Sequence, residues 1–387
     1  MRRNIRWQIK RLLVVVIILF CFLNFGRVFL ALESSELNSF AADAKPRHDL
    51  NYIRELYQKQ INNEEVSLDE EYFGASLTIG PTVSIGPMYS DEVINPHPYS
   101  FTLTNPNACV GNADGDSSSN ELFLLLLVKC STSEFLDRAQ IRRTWGGVRY
   151  LKGRRTLTMF LLGLPESAEE QGRIIMEDAI HHDVIQENFL DTYRNLTVKN
   201  MMGWKWMTTY CPHATYAASI DADMHLNIHN LLAHLETANT TNYAEGHLKP
   251  TDKPMRNPED KANIKWYTPP EMYPETTYPP FLNGACYVLS GDVARRIFKT
   301  SLHVRFLPWD DVFVGMVMKR LGVSPSEHLS FEQFRKLQRT RDYLRAFAGG
   351  IATGVGHHRK TMDSKVISVW DYISTMHLIL NTFKNST

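Results

Sequence analysis

Leu122–Val128 reads LFLLLLV, seven apolar residues with no polar interruption. A half-exposed strand alternates apolar and polar residues, so an unbroken run of this length suits a strand covered on both faces. Ser131-x-x-Glu134 follows at capping-box spacing and predicts a helix to about Trp145. The alternation then repeats. Thr156–Leu162 reads as a strand, and Ser167-x-x-Glu170 opens a second helix with Ile174 and Ile175 inward. Asp183–Ile185 is a short strand, and Val198, Met202 and Trp206 mark one face of a third helix. Tyr216–Ile220 is a further strand, running into Asp221. Strands alternating with helices predict an α/β chain with a mostly parallel central sheet and helices on both faces. Ligands of such sheets bind at the carboxyl ends of the strands, which directs attention to the residues just after Ile220.

Three segments carry candidate chemistry. Asp221-Ala222-Asp223 sets two carboxylates one residue apart at a strand's end, a pattern that holds a divalent cation between protein and phosphate oxygens and that also occurs in plain turns. Asp310-Asp311 precedes Val312–Leu321 and Gly322 and marks a helix start. One acid suffices as an N-cap, so the second is a candidate general base, its ionised form favoured at a helix N-terminus. His357-His358 follows a Gly-rich approach, Gly349 to Gly356, and imidazole is a common ligand for Mn²⁺ or Zn²⁺, although most His pairs are surface residues.

The N-terminus sets the compartment. Residues 1–11 carry five basic residues and no acid, and Leu12–Leu23 is uninterrupted apolar sequence continuing to Leu32. A membrane span needs about 20 such residues, so 12–32 reads as a signal anchor with 1–11 as a cytoplasmic tail. A cleaved signal peptide is the alternative, and the lack of Ala-x-Ala near Phe29–Ser34 speaks against it. Residues 33–90, rich in Ser, Asn, Glu and Asp, read as a stem, and 91–387 as a lumenal catalytic domain. Sequons at Asn195, Asn239 and Asn385 fit that topology. Cys109, Cys130, Cys211 and Cys286 allow three complete pairings, which sequence does not decide between.

These segments together resemble the β-1,3-glycosyltransferase family, the β-1,3-galactosyl- and N-acetylglucosaminyltransferases of the Golgi. Arg138-Ala-Gln-Ile-Arg142-Arg143-Thr144-Trp145 is similar to its R-x-x-I-R-x-T-W, and Phe160-Leu-Leu-Gly163 comes next in place. The stretch from Asp183 through Asp191, Tyr193 and Asn195 to Lys199 resembles its D-I-I…D-x-Y-x-N-L-T-x-K. Tyr278-Pro-Pro-Phe281…Gly284-Ala-Cys-Tyr287 and Asp310-Asp311-Val312-Phe313-Val314-Gly315 complete the ordered set over roughly 95–375. Ala222 stands where the family has the second of three Asp, Asp310 where it has Glu, and Cys286 where it has Gly.

The resemblance implies a GT-A-like nucleotide-sugar transferase fold on a Golgi membrane, single-pass and type II, with the catalytic domain lumenal. It implies a UDP-sugar donor, galactose first and N-acetylglucosamine second, and an acceptor glycan on glycoprotein or glycolipid. By position, Asp311 is the general base. Asp223 and His358, twelve residues before Trp370, hold Mn²⁺ or another divalent cation, with Asp221 in support. Arg138, Arg142 and Lys199 are candidates for binding the nucleotide, with structural ion pairs or a solvated helix face as the alternatives. Trp309 and Tyr287 are candidates for stacking on sugars, with packing as the alternative. Ala222 keeps a second reading in view, a catalytically degenerate lumenal scaffold or sugar-binding protein.

Net charge agrees. The chain has 42 basic and 42 acidic residues, which gives no support to a nucleic-acid partner. Six of the basic residues and none of the acids lie in 1–32, leaving 36 against 42, or −6, on the remainder. A body without surplus positive charge favours a divalent metal over a basic patch for holding a diphosphate.

Overall fold

Every residue of Leu122–Val128 is buried, five of the seven completely, as a strand covered on both faces demands. The computed structural model describes residues 86–110, 121–261, 263–332, 340–354, 367 and 370–375. All belong to one unit, Ser76–Thr387. The expected tail (1–11), anchor (12–32) and all but the last residues of the stem (33–90) lie outside the described residues. Among the described residues no helix is long and apolar enough to cross a membrane.

In chain order the elements are β1 (Phe101–Leu103), β2 (Leu122–Lys129), α1 (Phe135–Arg143), β3 (Tyr150–Leu151), β4 (Arg154–Leu164), α2 (Ala168–His181), β5 (Val184–Leu190), α3 (Leu196–Tyr210), β6 (Tyr216–Asp221), β7 (Met224–Leu226), α4 (Ile228–Leu235), β8 (Ala244–Lys249), β9 (Phe281–Ser290), α5 (Gly291–Ser301), α6 (Asp310–Leu321), β10 (Ser326–Glu327), β11 (Phe331–Glu332), α7 (Thr340–Gly349) and β12 (Ala352–Gly354). The main sheet runs β1-β5-β4-β2-β6-β9-β8-β10, with β3 paired to β4. A small sheet, β11-β12-β7, stands apart.

The sheet is mixed, which corrects the mostly parallel expectation. The four central strands β5, β4, β2 and β6 are parallel. β1 and β9 run antiparallel to their neighbours, and β8 is antiparallel to β9. Parallel neighbours need a crossover, usually helical, and the strand–helix alternation that supplies one ends at β8, which α4 precedes. From β8 the chain returns through an irregular stretch, 250–280, and enters β9 in the opposite sense.

Side-chain alternation along β2 divides the core. Leu125 and Leu127 pack on one face with α3, α5 and α6. Leu124, Leu126 and Val128 pack on the other with α1, α2, α4 and the small sheet. α3 is buried almost all round, from Thr197 to Trp204 without a break, so the face read from Val198, Met202 and Trp206 is only part of its contact. The Ser167 hydroxyl accepts from Glu170 N–H and caps α2 as expected. The Ser131–Glu134 box forms only in half. Glu134 Oε2 accepts from Ser131 N–H at 2.7 Å, and α1 starts at Phe135.

Of the three cysteine pairings, the bridge Cys109–Cys211 forms, and Cys130 and Cys286 remain buried thiols. It closes a separation of 102 residues and ties the chain before β2 to the end of α3. Cross-links of that span restrict the unfolded chain strongly, so Cys109→Ser should cost about 2–5 kcal/mol. A urea midpoint unchanged from wild type would contradict this.

Asn195 does not present an acceptor amide in the folded chain. It is buried, and its Nδ2 donates to Leu190 O at 2.8 Å. Asn239 is exposed just beyond α4, and Asn385 lies outside the described residues.

Candidate active site

Parallel pairing of β2 with β6 sets Lys129 directly opposite Asp221 at the carboxyl ends of both strands. Lys129 is buried, and its ammonium meets three acceptors. These are Asp221 Oδ1 at 3.0 Å, Asp310 Oδ2 at 2.6 Å and the carbonyl of Gly284 at 2.9 Å. One cation thus joins the Asp-x-Asp turn to the start of α6, two segments with β7, α4, β8, β9 and α5 between them in the sequence. Burial works against the lysine's charge, but the Asp221 and Asp310 carboxylates outweigh it and hold Lys129 well above the usual lysine range.

Asp310 is the first residue of α6, and Trp309 occupies the cap position without a side-chain cap bond. The carboxylate is turned inward rather than capping. Besides Lys129 it accepts from Asn200 Nδ2 at 3.0 Å, and the same amide lies 3.1 Å from the Tyr287 hydroxyl. Burial, opposed by Lys129, leaves Asp310 above the usual carboxylate range.

Asp311 is less enclosed. Its Oδ1 accepts from Val312 N–H at 2.8 Å and its Oδ2 from Gly284 N–H at 3.3 Å. Burial, then the neighbouring Asp310 carboxyl, pushes it up to about 7. Gly284 makes this approach possible, because a Cβ there would stand 3.2 Å from that of Asp311 and 3.4 Å from Asp310 Oδ1. At the far end of α6, Gly322 takes the left-handed conformation, φ 70°, that closes the helix.

Asp221, with its side chain 35% exposed, and Asp223, part-buried, flank Ala222 in the turn between β6 and β7. Ala222 contributes main chain, since its N–H donates to Lys129 O at 3.1 Å. The turn therefore keeps its geometry without a carboxylate in the middle. β12 pairs with β7 so that Gly354 lies opposite Met224, the residue after Asp223. His357 and His358, a few residues on, lie outside the described residues.

Arg138 and Arg142 are brought together, but by acids. Arg138 is fully buried, and its Nε and Nη2 engage Glu177 while Nη1 and Nη2 meet the Ser131 and Thr132 carbonyls. Arg142 spans Glu177 and Asp183 with contacts of 2.6 to 2.9 Å. The spacing of four did put both on one helix face, and that face is an ion-pair network on α2, the structural alternative. Lys199 is likewise buried, pairing with Asp191 at 2.8 Å and donating to Cys130 O. Arg138 and Arg142 thus meet Glu177 and Asp183, while Lys199 meets Asp191 and the carbonyl of the residue that follows Lys129.

Tyr287 is fully buried beside Trp204, and Trp309 is 6% exposed with its indole N–H on Thr268 Oγ1 at 2.8 Å, so both pack. The exposed rings near the acids are different ones. Tyr193 and Trp266 are 49% and 40% exposed, and Trp266 Nε1 lies 3.1 Å from the Tyr193 hydroxyl. Burial first, with the Asp310, Asp311 and Asp221 carboxyls adding, raises the Tyr193 phenol. Lys129, Asn200 and this aromatic pair are the site features that sequence reasoning missed. A lysine closing the apolar run of β2 was the available signal for the first.

A family profile described as Galactosyltransferase matches residues 137–328. Beta-1,3-galactosyltransferase 1 of Mus musculus is 36% identical over 252 residues, 62% of this chain and 71% of the relative. Beta-1,3-galactosyltransferase 5 of Homo sapiens is 38% identical over 253 residues, 65% of this chain and 79% of the relative. A galactosyltransferase solved with donor and acceptor sugar analogs superposes at a TM-score of only 0.34 with 9% identity, over 65% of this chain and 95% of that one. With relatives 36% and 38% identical and matched over 71% and 79% of their own length, this chain belongs to the β-1,3-glycosyltransferase family.

Proposed function

We propose that the protein is an inverting galactosyltransferase that moves galactose from UDP-galactose to the 3-hydroxyl of an acceptor glycan in a β linkage, with UDP-N-acetylglucosamine as the second donor choice. The observation that carries this reading is the junction of the Asp-x-Asp turn with the Asp310-Asp311 helix through Lys129. It sets a metal-and-diphosphate turn beside a carboxyl with a raised pKa. Relatives named as β-1,3-galactosyltransferases support galactose and the 3-position. A GT-A-like fold and a lumenal, membrane-anchored catalytic domain in the Golgi belong to the same reading.

In the proposed step the acceptor's 3-oxygen attacks the anomeric carbon from the face opposite UDP. Asp311 takes the hydroxyl proton, the bond from the anomeric carbon to the UDP oxygen breaks, and UDP leaves with that electron pair. One displacement inverts the centre. Asp310 does not share the proton, because Lys129 and Asn200 occupy the oxygen nearest them. Tyr193 and Trp266 offer apolar ring faces on which an acceptor sugar rests.

Asp223, with Asp221 behind it, and His358 would hold the divalent cation. Carboxylate oxygens with one imidazole suit Mn²⁺. Gly354 lies opposite Met224, and His358 follows it by four residues in the sequence. When bound there, such a cation would supply positive charge to offset that of the departing diphosphate.

The test is UDP release by the full chain from UDP-galactose and UDP-N-acetylglucosamine, with an acceptor panel ending in 3-hydroxyl sugars. Because Asp311 accepts a proton only when ionised, and stands near 7, the rate should rise with pH through about 7 and then level. Absence of acceptor-dependent release with every donor, or a rate falling with pH across that window, would refute the proposal.

A further inference from the structure

We propose a zinc site on the β8 edge of the main sheet, made by His234, Glu245 and His328. The three come from different elements: the last turn of α4, the start of β8 and the residue after β10. One ligand atom of each lies within 4.8 Å of the others. His234 Nε2 and Glu245 Oε2 are 2.5 Å apart, and the His234 and His328 ring centroids 4.5 Å.

The donor chemistry selects the metal. Two imidazoles and one carboxylate suit a borderline ion such as zinc and serve Mg²⁺ or Ca²⁺ poorly. Tetrahedral bonds of about 2.0–2.1 Å set ligand atoms about 3.3 Å apart, so a zinc ion at the centre would widen the His234–Glu245 contact and draw His328 inward by side-chain rotation alone. The carboxylate is already fixed from outside the cluster. Tyr243 donates its hydroxyl to Glu245 Oε2 at 2.6 Å, the kind of outer hydrogen bond that orients metal-binding carboxylates. Ser330 N–H stands 3.2 Å from His328 Nδ1, a long contact that loading exchanges for a metal bond or a change of ring tautomer.

This cluster is separate from the Lys129 junction. Glu245 lies opposite Val288, and Val288 opposite Ala218, three residues before Asp221 and two strands across. Strand rise and spacing put its backbone on the order of 14 Å from that of Asp221. The edge is also held by Ser326, whose hydroxyl donates to Ala244 O at 3.0 Å, and by Glu327, whose Oε2 accepts from Leu248 N–H at 2.7 Å. β10 contributes two pairings to β8, aided by His328 N–H on Gly246 O at 2.8 Å. A zinc ion would fasten α4, β8 and the 326–332 segment, which leads into the small sheet that carries β7.

The experiment is equilibrium dialysis of the full-length chain in detergent against zinc chloride, with bound metal counted by mass spectrometry and thermal unfolding followed in parallel. The wild type should retain one zinc per chain at micromolar free metal. Its Tm should rise by about 5 °C on saturation. Asp223→Asn should retain that zinc. His234→Gln and His328→Ala should each lose it and the Tm rise, and Glu245→Gln should weaken binding at least tenfold. The site is overturned if the wild type retains none. It is also overturned if the folded histidine variants bind as tightly as wild type, or if the bound zinc disappears in Asp223→Asn. Should one histidine variant fail to fold, the other and the wild-type stoichiometry still decide.

Discussion

Asp311→Asn should lower the rate of acceptor-dependent UDP release about 10²–10⁴-fold, the range of a general base removed without disturbing its surroundings. The substitution is nearly isosteric, and the amide oxygen still accepts from Val312 N–H, so α6 keeps its start. KM for the donor should move little, because Asp311 touches the proton in transit rather than the diphosphate. The same variant should be more stable than wild type at pH 8. Asp311 stands near 7, above the ordinary carboxylate value. Its folded form therefore holds the proton more firmly than the unfolded chain does. That bond is fully favourable below about pH 4 and is lost as pH rises through about 7, so wild type carries a penalty at pH 8 that Asn lacks. Kinetics and urea midpoints at two pH values test both halves. Activity within tenfold of wild type would remove Asp311 from the proposed role.

Lys129→Met should be the most damaging single change to stability near the site. It leaves Asp310 enclosed with only Asn200, and Asp221 without its buried cation. Removing one partner from a buried ion pair costs about 3–5 kcal/mol, because the remaining charge is stranded. Asp310 relieves the strain by taking up a proton, so the loss should be smaller at pH 5 than at pH 8. Adding Asp310→Asn to Lys129→Met should recover most of the midpoint, because no buried carboxylate then lacks its counter-charge. A loss under about 1 kcal/mol at pH 8, or no recovery in the double variant, would mean the contacts at 2.6 and 3.0 Å carry little weight.

The legible part of the fold is the local part. Burial on both faces leaves an unbroken apolar run, so β2 was plain, and strand–helix alternation marked the core through β6. Carboxylates at a strand end and at a helix start announced themselves by position. Contacts made across the fold did not. The partners of Arg138 and Arg142, Glu177 and Asp183, sit 35 to 41 residues on, and no helical spacing could name them. Lys129 meets Asp310 across 181 residues. The direction of β9 was not legible, because its reversal depends on how the 250–280 stretch travels, not on any residue pattern within it.

The two unpaired cysteines among the described residues turn the site into its own recorder. Cys130 directly succeeds Lys129, and Cys286 lies two residues past Gly284. Both are nearly inaccessible, at 2% and 3%, and burial pushes both thiols up, away from the reactive thiolate. A thiol reagent can meet Cys286 only when β9 parts from its neighbours, and Cys130 only when the segment just past β2 opens. The labelling rates measured at these two sites are therefore clocks for opening at either side of the acidic junction.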